Sequence, residues 1–199
     1  TDKAGNALAS EVTTAFDVID TVAPGTPVLD EAPATVAATD FTVSGTAESG
    51  SVVAVTGGQD PVEGQADSAG RFEVTVSLAE NQENALQVLA TDAQQNTSAP
   101  ASLTVTHDGI PPSVTATTPE NGTQDVDVLV QLELVFDEPV AANTPQLLQQ
   151  ANPNLPPIAW SRSAEGDRVT GSPTEEFAGS ATHVLHIPGQ VADLVGNTM

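Results

Sequence analysis

The amino-acid sequence predicts an all-β chain folded as two tandem sandwiches joined by a short proline-containing linker. Three observations carry that reading. Apolar and polar residues alternate with a period of two over several short runs. Fifteen Gly and fifteen Pro punctuate those runs. One junction pattern occurs twice, as "VIDTVAPGTP" (Val18–Pro27) and "VTHDGIPPSV" (Val105–Val114). Period-two alternation sends successive side chains to opposite faces of a strand, while Gly and Pro supply the turns between strands. Each junction ends a strand on Asp and then stiffens the chain with Pro, which fixes φ.

The elements follow in order. Residues 1–21 read as the terminal loop and strand of a preceding repeat. The first module spans residues 22–108. Its strands are "DFTVSGTA" (Asp40–Ala47), "SVVAVTG" (Ser51–Gly57), "GRFEVTVSL" (Gly70–Leu78), "NALQVLATD" (Asn84–Asp92) and "ASLTVTHD" (Ala101–Asp108), with "DSAG" (Asp67–Gly70) as a hairpin turn into the third. The second module spans residues 109–199 and stops directly after a loop that in the first module precedes the last strand. The chain therefore reads as a segment of a longer array. Alternatively, the leading strand of one copy completes the second module of the same or another copy by addition at a sheet edge. Helical signals are almost missing. Phe41, Phe72 and Phe136 read as core, Trp160 as a packing residue, and His107 as a solvated neighbour of Asp108.

Composition narrows function. Four Lys+Arg against 27 Asp+Glu give a net charge of −23, which excludes ordinary nucleic-acid binding and disfavours an anionic membrane surface. Without Cys there are neither disulfides nor thiolate metal sites. No apolar run approaches the ~20 residues of a membrane span, so membrane insertion is not expected. No nucleophile elbow or other catalytic constellation is present, and the chain reads as non-enzymatic. His183 and His186, three apart on an extended chain, fall on opposite faces and cannot share one ion. Like charge at this density destabilises a compact state unless cations condense on it.

The segments "TDKAGN", "DTVAP", "VSGTAESGS" and "NALQVLATDAQQNTSAPASLTVTHD" resemble the bacterial Ig-like repeats of large surface adhesins, over residues 1–108. In the second module, "TTPENGTQDVDV", "LELVFDEPV" and "VADLVGN" resemble another bacterial Ig-like family, that of S-layer-type surface proteins; residues 145–177 match neither. The resemblance implies tandem Ig-like sandwiches, an extracellular or cell-surface location, Gram-negative by expectation, and neighbouring repeats of the same chain as partners.

One motif returns at domain spacing. Asp2, Asp92 and Asp193 each have an Asn four residues later, at Asn6, Asn96 and Asn197. In a seven-stranded sandwich the incoming linker, the loop after the second strand and the loop before the last strand share one pole. For the first module these hold Asp20, Glu48, and Asp92 with Asn96. For the second they hold Asp108, Asp137 and Glu138, and Asp193 with Asn197. Carboxylates gathered there without a nearby Lys or Arg repel, and Ca²⁺, which takes six to eight oxygen ligands, suits such a cluster better than Mg²⁺ or Zn²⁺. The alternative is that Asp and Asn are simply turn formers. The expected function is a structural extender of a bacterial adhesin, rigidified by Ca²⁺ at its junctions. A sugar- or protein-binding module centred on Trp160, or an accessory domain of an extracellular enzyme, stands as the alternative.

Overall fold

A computed structural model describes residues 3–5, 15 and 18–199. In the first module, β1 (Val28–Leu29), β3 (Asp40–Thr46) and β6 (Arg71–Ser77) form a three-stranded sheet in the order β1-β3-β6. Facing it is a five-stranded sheet of β2 (Thr35–Val36), β4 (Val52–Thr56), β5 (Val62–Gln65), β7 (Glu83–Thr91) and β8 (Ala101–His107), in the order β2-β8-β7-β4-β5. The strict alternation of β6, Arg-Phe-Glu-Val-Thr-Val-Ser, buries Phe72, Val74 and Val76 and leaves the residues between them in water. Val53, Val55, Leu86 and Val88 from the opposing sheet meet them in one core. Gly57 follows β4 at φ +95°, where a Cβ would collide with the Ala85 carbonyl, so only glycine fits.

The second module contributes β9 (Val114–Thr118), β10 (Leu132–Phe136), β11 (Ile158–Arg162) and β12 (Arg168–Pro173) as one antiparallel sheet in the order β11-β12-β10-β9. Helix α1 (Thr144–Ala151) and a segment without regular structure at residues 181–188 cover the face of this sheet. Leu148, Leu185 and Ile187 pack there on Leu134, Phe136 and Val169. Trp160 pairs across the ladder with Gly171 and packs into both apolar clusters of this module, a core role rather than an exposed platform.

Three expectations are revised. Residues 144–151 form a helix: Pro145 sits in the first turn, and Gln-Leu-Leu-Gln-Gln-Ala is a run of helix formers with no β-branched residue. The Asp67–Gly70 turn joins strands of different sheets, β5 and β6, rather than closing a hairpin; Asp67 Oδ1 accepts the Ala69 and Arg71 N–H groups and steers the crossing. His107 is buried, its Nδ1 accepting the Asn81 N–H at 2.9 Å. The leading residues expected to hold a strand lie largely outside the described residues.

Leu86 is fully buried between the two sheets. Leu86→Ala is expected to destabilise the first module by about 2–5 kcal/mol, from lost transfer energy plus the residual cavity. Denaturant unfolding followed by circular dichroism would check it; a loss under 1 kcal/mol would mean the site collapses.

Candidate functional site

Strand register brings the linkers and two loops of each module to one pole. In the first module Val28 pairs with Thr46 and Val52 with Thr91. The chain entering β1, the β3–β4 loop and the β7–β8 loop therefore share an end. In the second, Phe136 pairs with Val114, and Val140 bridges Asp193. Residues 108–113, 137–140 and 193–197 meet in the same way.

At both poles the repeated Asp and Asn make the same set of bonds. Asp92 Oδ1 accepts the N–H groups of Gln94 and Asn96, both at 2.8 Å. Asp193 Oδ1 accepts those of Val195, Gly196 and Asn197 at 2.9, 2.6 and 2.9 Å. Each Asp thus folds its own loop as an Asx turn. Each Asn then reaches in two directions. Asn96 Nδ2 donates to Asp92 Oδ2 at 2.7 Å and to the Asp20 carbonyl at 3.1 Å. Asn197 Nδ2 donates to Asp193 Oδ2 at 2.7 Å and to the Asp108 carbonyl at 2.8 Å. The linker aspartates turn their own backbone: Asp20 Oδ1 accepts the Val22 N–H at 2.9 Å, and Asp108 Oδ1 that of Ile110 at 3.2 Å. The side-chain bond from Asn96, aided by backbone N–H groups, holds the Asp92 carboxyl below its ordinary 3.8 against the opposing effect of desolvation.

This bracket was not anticipated from sequence. The motif was legible; the atom that does the gripping was not. Both asparagines direct the amide nitrogen, a donor and no cation ligand, at linker and loop. The loop also needs one left-handed residue, supplied by Gly196 at φ +103° and by Gln95 at φ +69°. Gly5 has the same sign in "DKAGN", at φ +85°. Asp2 and Asn6 themselves lie outside the described residues.

The acids distribute unequally between the poles. Among the described residues one three-carboxylate group forms, from Asp108, Glu138 and Asp193, with oxygens all within 4.8 Å of one another. Burial raises the Glu138 carboxyl above its ordinary 4.5, and the charges of Asp108, Asp193 and Asp137 push it the same way. Asp137 itself turns to Ser113, accepting from its Oγ at 2.6 Å and its N–H at 2.7 Å, and these bonds lower its carboxyl below the usual value. No sequence signal pointed to Ser113. In the first module Glu48 is exposed and joins no such group with Asp20 and Asp92. Chemically, the trio is an all-oxygen donor set.

Two predictions follow from these geometries. A glutamate whose carboxyl is raised on folding holds more protons folded than unfolded above pH 4.5, so its contribution falls as pH rises. In chelator, Glu138→Gln should therefore raise the melting temperature at pH 7.5 and have little effect below pH 4.5; equal effects at both would sink the assignment. Gln95→Gly removes a left-handed non-glycine residue and should stabilise the first module by about 0.5–1 kcal/mol in denaturant unfolding, with destabilisation as the contrary outcome.

Comparison with known proteins agrees with this architecture. Residues 23–107 match the family described as Bacterial Ig domain, and residues 108–199 the family described as Bacterial Ig-like domain. A search of curated proteins finds no match. Among solved structures, chitinase ChiA74 from Bacillus thuringiensis overlaps 80% of this chain at 15% identity and a TM-score of 0.34. The chain spans 25% of that chitinase's length, and so loose an overlap does not bear on function. Domains of these families are found in surface and extracellular proteins, and no helix among the described residues is long and apolar enough to cross a membrane. The chain belongs to the bacterial Ig-like domains, as a tandem of two different kinds.

Proposed function

We propose that this tandem is a non-catalytic extender of a bacterial surface or secreted adhesin, in which Ca²⁺ held by Asp108, Glu138 and Asp193 stiffens the joint between the two modules. The observation that carries this reading is the convergence of one carboxylate from the linker, one from the β10 loop and one from the last loop. The three come from segments distant in sequence that backbone bonds already draw together, Asp137 N–H to the Ser113 carbonyl and Ala141 N–H to the Ala192 carbonyl. Asn197 already fastens the linker by its backbone, so the linker direction is partly set before any ion arrives. Three carboxylates with no compensating cation among the groups that shift Glu138 then oppose the closed joint. A divalent ion reverses the sign of that interaction, because each carboxylate is attracted to a common centre instead of repelled by its neighbours. In this reading Asp137 supports the site from outside by holding Ser113, just before β9. The poles differ: the first keeps only the Asp92–Asn96 bracket within the described residues, while Asp20 turns its own backbone and Glu48 faces water.

Ion binding to the folded form adds stability by mass action, ~2.7 kcal/mol at a hundredfold excess over Kd. Ca²⁺ titrated into the chelator-treated chain should release or absorb heat with a stoichiometry near one per chain, raise the melting temperature and narrow the distribution of maximum dimensions in small-angle scattering. Glu138→Gln, which leaves both Asn brackets intact, should lose the heat and the melting shift together. Identical melting curves and scattering with Ca²⁺ and with chelator would remove the ion from the account.

A further inference from the structure

The connection between β9 and β10 carries the one Asn-Gly pair of the chain, Asn121-Gly122. An asparagine amide and the N–H of the next residue are a latent electrophile and nucleophile side by side. Attack of that nitrogen on Cγ closes a five-membered imide. It proceeds only where the fold leaves both groups unoccupied.

Nine asparagines are present, and the structure sorts the described ones. Asn81, Asn84, Asn96, Asn152 and Asn197 each engage the side-chain amide in a hydrogen bond. At Asn143 and Asn154 the following N–H is held instead. Thr144 N–H donates to the Ala141 carbonyl at 3.1 Å, and Leu155 N–H to the Asn152 carbonyl at 3.3 Å. Among the described residues, Asn121 alone has both groups open. It and Gly122 are exposed, and neither the Asn121 amide nor the Gly122 N–H has a protein partner.

The surrounding turn leaves the central peptide free to rotate. Thr123 donates twice to the Glu120 carbonyl, from its N–H at 3.1 Å and from Oγ1 at 2.7 Å. Those bonds fasten the flanks, and none reaches the peptide between Asn121 and Gly122. Gly122 stands at φ +82°, as the second central residue of a type II turn does, and a Cβ there would meet nothing within 4 Å. Glycine accepts either sign of φ, so a flip of this peptide swings the Gly122 nitrogen past the Asn121 side chain at little steric cost.

We propose that Asn121 is a self-modification site that converts to aspartate and isoaspartate without an enzyme. The Gly122 nitrogen, deprotonated by hydroxide, bonds to Asn121 Cγ. The Cγ–Nδ2 bond breaks, and the nitrogen leaves as ammonia with a proton from water. Water then opens the succinimide at either carbonyl. One opening gives aspartate; the other gives isoaspartate, whose main chain runs through Cγ. The sum is one water consumed and one ammonia released, with no oxidant or cofactor. Each event takes the net charge from −23 to −23 − 1 = −24, in a connection that already holds Glu120, Asp125 and Asp127. Because Thr118 pairs with Glu133 and Val114 with Phe136, this turn lies at the end of β9 away from the acidic trio. The change runs one way, so its extent records the age of the molecule.

Prolonged incubation of the full chain in mildly alkaline buffer, then digestion at glutamate and mass spectrometry, tests this. The expected result is an amide-to-acid mass shift confined at first to the fragment of residues 121–133. It should comprise two separable products, one of which an isoaspartyl methyltransferase labels, and should form faster as pH rises. Asn121→Gln, whose longer side chain would have to close a larger ring, should lose the shift, and Gly122→Ala should slow it several-fold. Both substitutions lie on an exposed turn outside the apolar clusters. Aspartate as the single product, an earlier shift at another asparagine, or no shift at Asn121 while a free peptide of residues 118–126 converts, each overturns the proposal.

Discussion

The fold of both junctions depends on a single bracket: an aspartate that closes its loop with one oxygen and receives an asparagine amide on the other. The two oxygens divide the work. Oδ1 satisfies two or three backbone N–H groups that the loop would leave stranded in a nearly buried place. Oδ2 fixes the asparagine rotamer, so that the second hydrogen of Nδ2 points outward at the linker carbonyl. A charge-assisted bond therefore orients a neutral one, and the neutral one fastens the adjoining segment. Removing the aspartate would free the loop and the linker together.

Electrostatics explains why the two poles are not equivalent. Of the four basic residues, Arg71 pairs with Asp30 and Arg168 with Glu133 on exposed faces, where such pairs contribute little. Arg162 donates to the Val140 carbonyl and so braces the segment that carries Glu138 without neutralising its carboxylate. Serine at position 113 draws Asp137 aside and leaves Glu138 as the member of the pair that faces Asp108 and Asp193. In the first module the corresponding loop is Thr-Ala-Glu-Ser-Gly, and its Glu48 stays in water. A small difference in what the neighbouring backbone offers thus separates an acidic cluster from an ordinary turn.

Much of the first module was legible because each of its strands is a run of clean alternation bounded by Gly, Pro or Asp, as in Arg71–Ser77 and Glu83–Thr91. The second module was less so. Residues 144–151 contain no long apolar stripe, and only two residues of the helix, Thr144 and Leu148, are buried, too few for a periodicity to stand out. His107 was misread because its ring accepts the Asn81 N–H, 26 positions away in sequence, a partner that no local pattern indicates. At the candidate site the residue types were readable and their convergence followed from strand order. The direction of each amide was not, since Asn offers a donor and an acceptor of nearly equal shape.

The carbonyl that Asn96 and Asn197 hold belongs to the main chain, which every amino acid possesses. The coupling therefore places no demand on the identity of the side chain that follows, only on the path of the backbone. Two domain kinds with different interiors can be threaded in series through one common fitting. Diversification of the bodies is free to proceed while the connector stays the same.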